Sequence, residues 1–392
     1  MTHKQGFRIR IYPNKEQTTL LWKHVGCCRW LWNQMIDIYE YNYSIGGKFI
    51  SNFDMINMVP YFKSEEEYEW LKEVSSQSLN IICSDLATAY DRFYKGISNL
   101  PKYKSRQKSK PSFPARSNEF YLIDKKTLHI EKIGALRYKT DRRLPIGRKS
   151  CKFWNVRVIY DNGKWFVGFV IEREDIAPTL TENLMGIDLG IKELAVVANG
   201  ESDEGHLVFP NINKSKQIRD LKSKIVHTQR TISRKYEANK QGNKYVKTKN
   251  IEKEEAKLRR LWRRIANIRD NYINQITHKL VELHPKRVVM EDLNIKGMMK
   301  NKHLAKPIGE MCWYEFRRQM QYKCEWNGIE FVLADRWYPS SKICSGCGNK
   351  LKTLKLSDRT YVCPVCGLTI DRDYNAAINL SRYEEHEEAS QS

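Results

Sequence analysis

The fold of this chain is decided by its last quarter, which contains Cys344-Ser345-Gly346-Cys347, Cys363-Pro364-Val365-Cys366 and Asp371-Arg372-Asp373-Tyr374-Asn375-Ala376-Ala377. The two Cys-x-x-Cys pairs are 15 residues apart, a spacing that lets four thiolates bind one tetrahedral zinc ion. Such sites are usually structural. We therefore expect Cys344, Cys347, Cys363 and Cys366 to hold one structural Zn²⁺. A redox dithiol is the rival interpretation, but two separated pairs flanking a polar segment argue against it.

The net charge of the chain predicts a polyanionic partner. Its 392 residues include 68 Lys and Arg against 46 Asp and Glu, a net charge of +22. A surplus of this size favours nucleic acid binding. No apolar stretch approaches the roughly 20 residues that span a bilayer, and no signal peptide precedes the first strand pattern. We therefore expect a cytoplasmic protein without a membrane partner.

The N-terminal part shows strand, then helix, then strand patterns. Residues 7–12 alternate apolar and basic side chains, which is typical of a strand with one solvated face. Helical periodicity and a basic loop occupy residues 13–116, and short strands rich in aromatic and β-branched residues follow over 117–178. We expect the first strand to join the later sheet and to form a small barrel that the helical segment splits.

Two basic segments are candidates for nucleic-acid contact. In the proline-containing segment 100–114, basic residues alternate with aromatic rings, which suits backbone tracking and base stacking; a solvated basic linker is nearly as well supported. The segment 211–280 reads as a helical hairpin with a polar break at 239–243, and it carries 20 Lys and Arg against 6 Asp and Glu. The candidate contact residues are Lys102, Tyr103, Lys104, Arg106, Arg230, Arg234, Arg259 and Arg263.

Three carboxylates have the placement of a metal-dependent nuclease site. Asp188 and Glu291 end two buried strand patterns, and Asp373 precedes a short helix pattern. Buried carboxylates that converge are costly without a cation, and oxygen ligands select Mg²⁺ or Mn²⁺, of which we expect two ions. The order of the three acids predicts an RNase H-like nuclease in which they are both catalytic residues and magnesium ligands. Asp371 is the alternative third ligand.

Several motifs resemble the TnpB family, the OrfB-like nucleases encoded by insertion sequences and regarded as ancestors of the type V CRISPR effectors. Besides the cysteine pairs and the final acidic motif, the resemblance is carried by Phe7-Arg8-Ile9-Arg10-Ile11-Tyr12-Pro13, Gly186-Ile187-Asp188-Leu189-Gly190, Val289-Met290-Glu291-Asp292-Leu293 and Trp337-Tyr338-Pro339-Ser340-Ser341-Lys342. The motifs of the C-terminal half are highly specific, whereas the N-terminal third matches loosely.

The resemblance implies an α+β multidomain fold. A split β-barrel, or wedge, is formed by residues 1–12 and 117–178 and is interrupted by a helical recognition domain at 13–116. An RNase H-like RuvC α/β domain follows at 179–342 and 369–382, with an inserted zinc ribbon at 343–368 and an acidic tail at 383–392.

The resemblance also implies an RNA-guided double-stranded DNA endonuclease of a transposable element. Its guide RNA would come from the transposon end, and matching DNA would be cut by metal-dependent hydrolysis beside a short flanking motif. The prokaryotic cytoplasm, with nucleoid association on DNA binding, is the implied location. The alternatives are a compact type V CRISPR effector, a nuclease-silent RNA-guided DNA-binding repressor and an RNA-independent strand-transfer transposase. The presence of all three acids favours an active nuclease, and one site per chain requires no dimer.

Overall fold

The computed structural model describes residues 2–148, 150–174, 178–200, 206–355 and 358–384. The chain divides into two compact units, an N-terminal unit of residues 2–174 and a C-terminal unit of residues 175–392. Parts of the predicted domains lie outside the described residues: 1, 149 and 175–177 of the wedge, 201–205 of the RuvC-like domain, 356–357 of the zinc ribbon and 385–392 of the acidic tail.

The N-terminal unit contains a seven-stranded antiparallel sheet. Its strands are β1 (Thr2–Tyr12), β2 (Ser112–Pro114), β3 (Tyr121–Leu122), β4 (Thr127–Ile130), β5 (Gly134–Lys139), β6 (Phe153–Asp161) and β7 (Lys164–Glu174). The strand order is β2-β6-β7-β1-β5-β4-β3. The first strand therefore lies at the centre of the sheet and joins strands that come later in the chain, as the sequence predicts. One of these strands, β2, falls within the range 13–116 that the sequence assigns to the helical segment. Phe7, Ile9 and Ile11 alternate into the core of this unit.

The sheet is open, and the prediction of a barrel is wrong. Among the described strands, β2 and β3 form opposite edges and do not pair with each other. β2 ends in Pro114, which has no backbone N–H to donate to a further strand. β3 is two residues long, and very short strands are typical of sheet edges. Both edge strands are therefore poorly suited to close the sheet into a barrel.

The helices of this unit are α1 (Lys15–Ser44), α2 (Asn52–Ser64) and α3 (Ser76–Tyr94), with a 3-10 segment at Glu66–Glu73. α1 begins after Asn14, whose side chain accepts a hydrogen bond from the backbone N–H of Gln17. The sequence pattern indicates α1 and α3 but not α2, which contains Pro60, because an internal proline normally argues against a helix.

In chain order, the C-terminal unit contains β8 (Leu184–Leu189), β9 (Glu193–Asn199), β10 (Leu207–Pro210), α4 (Lys216–Ala238), β11 (Lys240–Gln241), β12 (Lys244–Tyr245), α5 (Lys249–Val281), β13 (Arg287–Glu291), α6 (Ile295–Met298), α7 (Ala305–Met311), α8 (Trp313–Asn327), β14 (Glu330–Ala334), β15 (Thr360–Val362), β16 (Thr369–Asp371) and α9 (Arg372–Ser381). Its main sheet has the order β10-β9-β8-β13-β14. β8 is antiparallel to β9 and parallel to β13, and β13 is parallel to β14.

The two faces of this sheet have different roles. Met185, Ile187 and Leu189 of β8 belong to a large core with apolar side chains of α5 and α8. The opposite face of the sheet packs on α9, where Val196 and Ala377 share a smaller core. Side chains of a strand alternate between faces. Asp188 therefore lies on the α9 side of the sheet.

Helices α4 and α5 form the predicted hairpin. Leu221, Ile225 and Ile265 are buried between them and partly buried Leu258, Leu261 and Ile268 complete the seam. The predicted polar break at 239–243 includes β11, and β12 follows it directly to form a small two-stranded ladder. In the part of the chain that the structure describes, no helix is long and apolar enough to cross a membrane.

Candidate active site and metal centre

Asp188 and Glu291 lie side by side where two parallel strands end. β8 and β13 pair with Ile187 opposite Met290, so the next residue of each strand brings Asp188 beside Glu291. Paired residues of neighbouring strands face the same side of a sheet, and the strands are about 4.8 Å apart. Both acids are partly buried. Their predicted placement at the ends of buried strands agrees with the observed strands.

Helix α9 approaches β8 so closely that only glycine fits at position 186. A Cβ on Gly186 would lie 1.9 Å from the backbone oxygen of Ala377 and 2.3 Å from the backbone nitrogen of Ser381. Asp188 follows Gly186 by two residues and shares its face of the strand. Asp373 precedes Ala377 by four residues and shares its face of the helix. This close packing therefore brings the third acid to the same side of the sheet.

Burial and like charge raise the pKa of Asp188 well above its usual range. Burial is the largest cause, followed by the charges of Glu291 and Asp373. The pKa of Glu291 is also raised, mainly by burial and also by Asp373, although the hydrogen bond from Ser340 Oγ lowers it. These acids disfavour one another's charge, and the positive charge of Arg372 lowers the pKa of Asp188 only in part. A divalent cation bound by oxygen ligands would offset the remaining negative charge.

Asp373 and Asp371 have different partners. Arg372 donates to Asp373 Oδ1 from Nη2 at 3.0 Å and from Nε at 3.2 Å, and Arg359 Nη1 lies 3.9 Å from Asp373 Oδ2. The Oδ1 of Asp371 instead accepts hydrogen bonds from the backbone N–H groups of Asp373 and Tyr374, at 2.9 and 3.1 Å. Asp371 is thus the N-cap of α9, which leaves Asp373 as the better candidate for the third acid.

The four cysteines form a compact cluster. Their Sγ atoms all lie within 4.8 Å of one another, with 3.5 Å between Cys344 and Cys366 and between Cys347 and Cys363. Within the described residues, they are the one group of three or more His, Cys, Asp or Glu side chains that meets this spacing. A set of four sulfur donors is the usual ligand set of a closed structural zinc site, so the cluster can hold one zinc ion.

The same backbone turn forms both halves of the cluster. The glycine after each pair, Gly348 and Gly367, has φ of +74°, a conformation that favours glycine. The N–H of Gly348 donates to the carbonyl of Cys344 at 2.9 Å, and that of Gly367 donates to Cys363 at 3.0 Å. Backbone hydrogen bonding from Cys366 lowers the pKa of Cys363 to about 6. At Cys347 a backbone hydrogen bond at Asn349 lowers the pKa, but hydrogen bonds with the other cluster thiols outweigh it, and the pKa is raised. Metal binding at this cluster would therefore release protons.

Helix α9 joins the cysteine cluster to the acids. The amide of buried Asn375 accepts from the backbone N–H of Ser345 at 2.9 Å and donates to the carbonyl of Ile343 at 2.7 Å. One turn later, Asn379 donates to the carbonyls of Ser340 and Ile343 at 2.8 and 2.7 Å. Ser340 in turn donates a hydrogen bond to the carboxylate of Glu291. One helix therefore holds the start of the first cysteine pair against the candidate active site.

The sequence motifs indicate no role for Ser340, Asn375 or Arg372, although all three residues lie within them. Their partners belong to elements distant in sequence or, for Arg372, to the neighbouring acid. The sequence contains one signal for such a role, a polar residue in the same motif as a candidate acid. Only the tertiary structure shows which groups that residue contacts.

The candidate contact residues of the helical hairpin all face solvent. Arg230 and Arg234 are exposed on α4, and Arg259 and Arg263 are exposed on α5. Lys224, His227 and Lys257 line a groove of about 500 Å³ along the two helices. The hairpin therefore presents cations on both helices, as a nucleic-acid surface requires.

The candidate contact residues of the N-terminal unit are less uniform. Lys102 and Arg106 are exposed. The hydroxyl of Tyr103 donates to Asp37 and Glu40, at 2.7 and 2.9 Å. Lys104 is partly buried with its Nζ 3.3 Å from the centre of the Trp32 ring, and burial lowers its pKa to about 8. Lys104 thus packs into the unit, whereas the other cations of this loop point outward.

Three family models match the chain. The model described as "Helix-turn-helix domain" matches residues 1–48, "Probable transposase" matches 169–302, and "Cas12f1-like, TNB domain" matches 313–380. In this structure the first of these segments holds β1 and the single helix α1. The last one includes the cysteine cluster and nearly all of α9.

Two known proteins align with this chain over almost its full length. It is 31% identical over 378 residues to a Streptomyces pristinaespiralis protein named "Putative RNA-guided DNA endonuclease", covering 96% of this chain and 88% of the relative. It is 28% identical to "Putative RNA-guided DNA endonuclease InsQ" of Escherichia coli K12, covering 97% and 92%.

Structural similarity defines the class of the fold. The structure entitled "Cryo-EM structure of the Cas12f1-sgRNA-target DNA complex" superposes with a TM-score of 0.59 at 15% identity, covering 97% of this chain and 98% of that one. This protein is therefore an α+β chain with a Cas12f-like fold. With the sequence relatives, this shows that the chain belongs to the TnpB family, and the resemblance stated from its motifs is confirmed.

Proposed function

We propose that this chain is an RNA-guided endonuclease of a transposable element that cuts guide-matched double-stranded DNA beside a short flanking motif. The names of its long relatives support a guided DNA endonuclease. The observation that carries the proposal is the convergence of Asp188, Glu291 and Asp373, in which two strand ends and one helix direct carboxylates to one side of a sheet.

The three acids are suited to hold Mg²⁺ or Mn²⁺, and we propose two ions. The fit rests on the convergence of three carboxylates on one side of the sheet. It is supported by the raised pKa of Asp188, which is caused first by burial and then by the charges of Glu291 and Asp373, charges that a divalent cation would offset. When bound, the ions would stabilise the charge on the phosphate oxygens during hydrolysis. Ser340 orients Glu291 through its hydrogen bond, and Arg372 neutralises part of the charge on Asp373.

We further propose that the C-terminal unit is an RNase H-like RuvC domain with an inserted zinc ribbon. The mixed sheet supports this, because the strand carrying the first acid pairs antiparallel with β9 and parallel with β13. In this assignment the RuvC-like domain covers 179–342 and 369–382, and the ribbon covers 343–368 with one structural Zn²⁺. The open sheet at 1–12 and 117–178 would be the wedge and 13–116 the recognition domain, although β2 of the sheet falls within the last range.

We assign nucleic-acid contact to the exposed cations of the helical hairpin and of the loop after α3. The partners would be a guide RNA from the transposon end and the double-stranded target DNA. Arg230, Arg234, Arg259 and Arg263 support this through their exposure. In the loop, Lys102 and Arg106 are favoured over Lys104, whose charge is turned toward Trp32.

The test begins with RNA that co-purifies when the chain is expressed with its native flanking DNA. A discrete species with a variable 3′ end would support guidance and would supply the guide for a cleavage assay. In Mg²⁺, the complex should cut matching DNA, Asp188→Ala should not, and both should bind the RNA equally. Glu182→Ala is the matched control, because Glu182 is an exposed acid that pairs with Lys286. Cutting by Asp188→Ala at the wild-type rate would refute the site.

A further inference from the structure

Trp337 is the most exposed large apolar side chain in the described ranges, with 84% of its surface accessible. It lies in the segment after β14, and β14 is the next parallel strand beyond the one that carries Glu291. Ala334 at the end of β14 pairs with Glu291, so the ring is attached three residues beyond the candidate active-site edge. A single exposed apolar residue is common, and three further features distinguish this one.

First, the backbone that carries the ring is held in place. The N–H of Trp337 donates to Asp335 Oδ1 at 2.7 Å, and the N–H of Tyr338 donates to the carbonyl of Asp335 at 3.0 Å. The N–H of Asp335 donates to the hydroxyl of Tyr383 at 3.1 Å, and the rings of Tyr338 and Tyr383 are 4.9 Å apart. The exposed indole therefore projects from an ordered turn.

Second, the same turn reaches the acid. Three residues after Trp337, buried Ser340 donates its hydroxyl hydrogen to Glu291. In the described part of the chain, the indole itself has no aromatic partner and no hydrogen bond. A largely exposed ring on a turn that also contacts a candidate catalytic acid through Ser340 is suited to receive a ligand group and not to stabilise the fold.

Third, positive charge accompanies the ring. Arg336 donates to Asp292 Oδ2 at 2.6 Å, and Arg317 donates to Asp292 Oδ1 at 2.7 Å. Two guanidinium groups thus share one carboxylate, and both remain partly exposed. An exposed cation next to an exposed ring is the combination that binds the phosphate and the base of a single-stranded nucleotide.

We propose that Trp337 stacks on an unpaired base beside the scissile phosphate of the DNA strand being cut, while Arg336 contacts a neighbouring phosphate. This inference rests on the proposed function. In a guided reaction, pairing with the RNA occupies the bases of one DNA strand and leaves those of the other unpaired. A base of a single strand offers its face to an aromatic ring without any loss of base pairing. We therefore assign Trp337 to the strand that does not pair with the guide.

The test combines ring removal with base removal. Protein loaded with guide RNA is incubated with a series of matching duplexes. Each duplex carries one abasic nucleotide at a different position around the cut site, on the strand that does not pair with the guide. Wild-type cutting should slow about ten-fold at one position, the usual size of one stacked base. Trp337→Ala should cut intact DNA about ten-fold more slowly and show no further loss at that position. Trp337→Phe should restore most of the rate and the abasic response.

The control is Trp262→Ala, which removes another exposed tryptophan of the same unit and should keep the abasic response. Zinc content and RNA binding of Trp337→Ala are measured to show that it is folded. An abasic response that persists in Trp337→Ala, or wild-type cutting by that variant, would overturn the stacking role alone. Failure of the wild-type complex to cut intact matching DNA would overturn the proposed function and the stacking role with it.

Discussion

The cysteine cluster and the carboxylate cluster are two candidate metal sites in one unit, and they are built differently. The four sulfur atoms are already within 4.8 Å of one another, and two copies of one local turn place them. The three acids come from two strands and a helix distant in sequence, and burial together with the charges of Glu291 and Asp373 raises the pKa of Asp188. A pre-formed sulfur site suits a structural ion, whereas a set of converging acids of like charge suits an ion that engages substrate.

The two clusters are nevertheless parts of one structure. Asn375 binds the start of the first cysteine pair from helix α9, and the same helix carries Asp373. The effects of mutation should therefore run in one direction. Removing an acid should leave the zinc site intact, but disturbing the zinc site should disturb the acids.

The largest expected effect comes from Asp188→Asn. Cutting should fall about a thousand-fold or more, because metal-based charge stabilisation is worth several kcal/mol. Zinc content by elemental analysis should stay at one per chain. In Mg²⁺-free buffer the variant should resist thermal unfolding better than wild type, because it removes a buried charge from among like charges. Zinc loss from this variant would break the asymmetry.

Gly186→Ala should have the next largest effect, since the added Cβ meets the backbone of Ala377 and Ser381. Overpacking of this kind costs about 1–3 kcal/mol, and a 1 Å displacement of a catalytic group can cost about 100-fold in rate. Cutting rate and thermal stability are both measured. Gly6→Ala is the control, because a Cβ at Gly6 meets nothing within 4 Å. Wild-type cutting by Gly186→Ala would show that α9 does not set the acid geometry.

Cys363→Ser should reduce zinc content from one ion to nearly none. We expect cutting to fall about 10–100-fold, as for losses of groups that orient a metal site, because the segment held by Asn375 and Asn379 also carries Ser340. Elemental analysis and cleavage rate are compared on the same preparation. Full activity in zinc-free protein would show that the carboxylate site does not depend on the cysteine cluster.

The smallest effect is a pH dependence of stability in Mg²⁺-free buffer. The folded-state pKa of Asp188 is raised by burial, Glu291 and Asp373, so the native state binds this proton more tightly than the unfolded state does. The charged form of Asp188 therefore lowers the free energy of unfolding. This loss of stability is fully present above the folded-state pKa and vanishes below the unfolded value of about 3.9. The stability advantage of Asp188→Asn over wild type should therefore shrink as pH falls from 8 toward 4. An advantage independent of pH would rule out this electrostatic origin.

Short-range patterns made much of the fold predictable. The alternation at Phe7, Ile9 and Ile11 indicates β1, and the apolar stripe with Ile225 and Ile265 indicates the hairpin of α4 and α5. That the sheet stays open was not predictable in the same way, because closure into a barrel depends on whether the two edge strands meet. Those edges are set by Pro114 and by the two-residue β3.

By itself, the sequence determined the family, the cysteine ligand set and the three candidate acids, since each depends on residue type at a fixed local spacing. Tertiary structure alone decided that Asp373 faces the sheet, that only glycine fits at position 186 against helix α9, and that the turn carrying exposed Trp337 reaches Glu291 through Ser340. These outcomes depend on which elements meet and on which side, and local periodicity does not encode contacts between segments that are distant in the sequence.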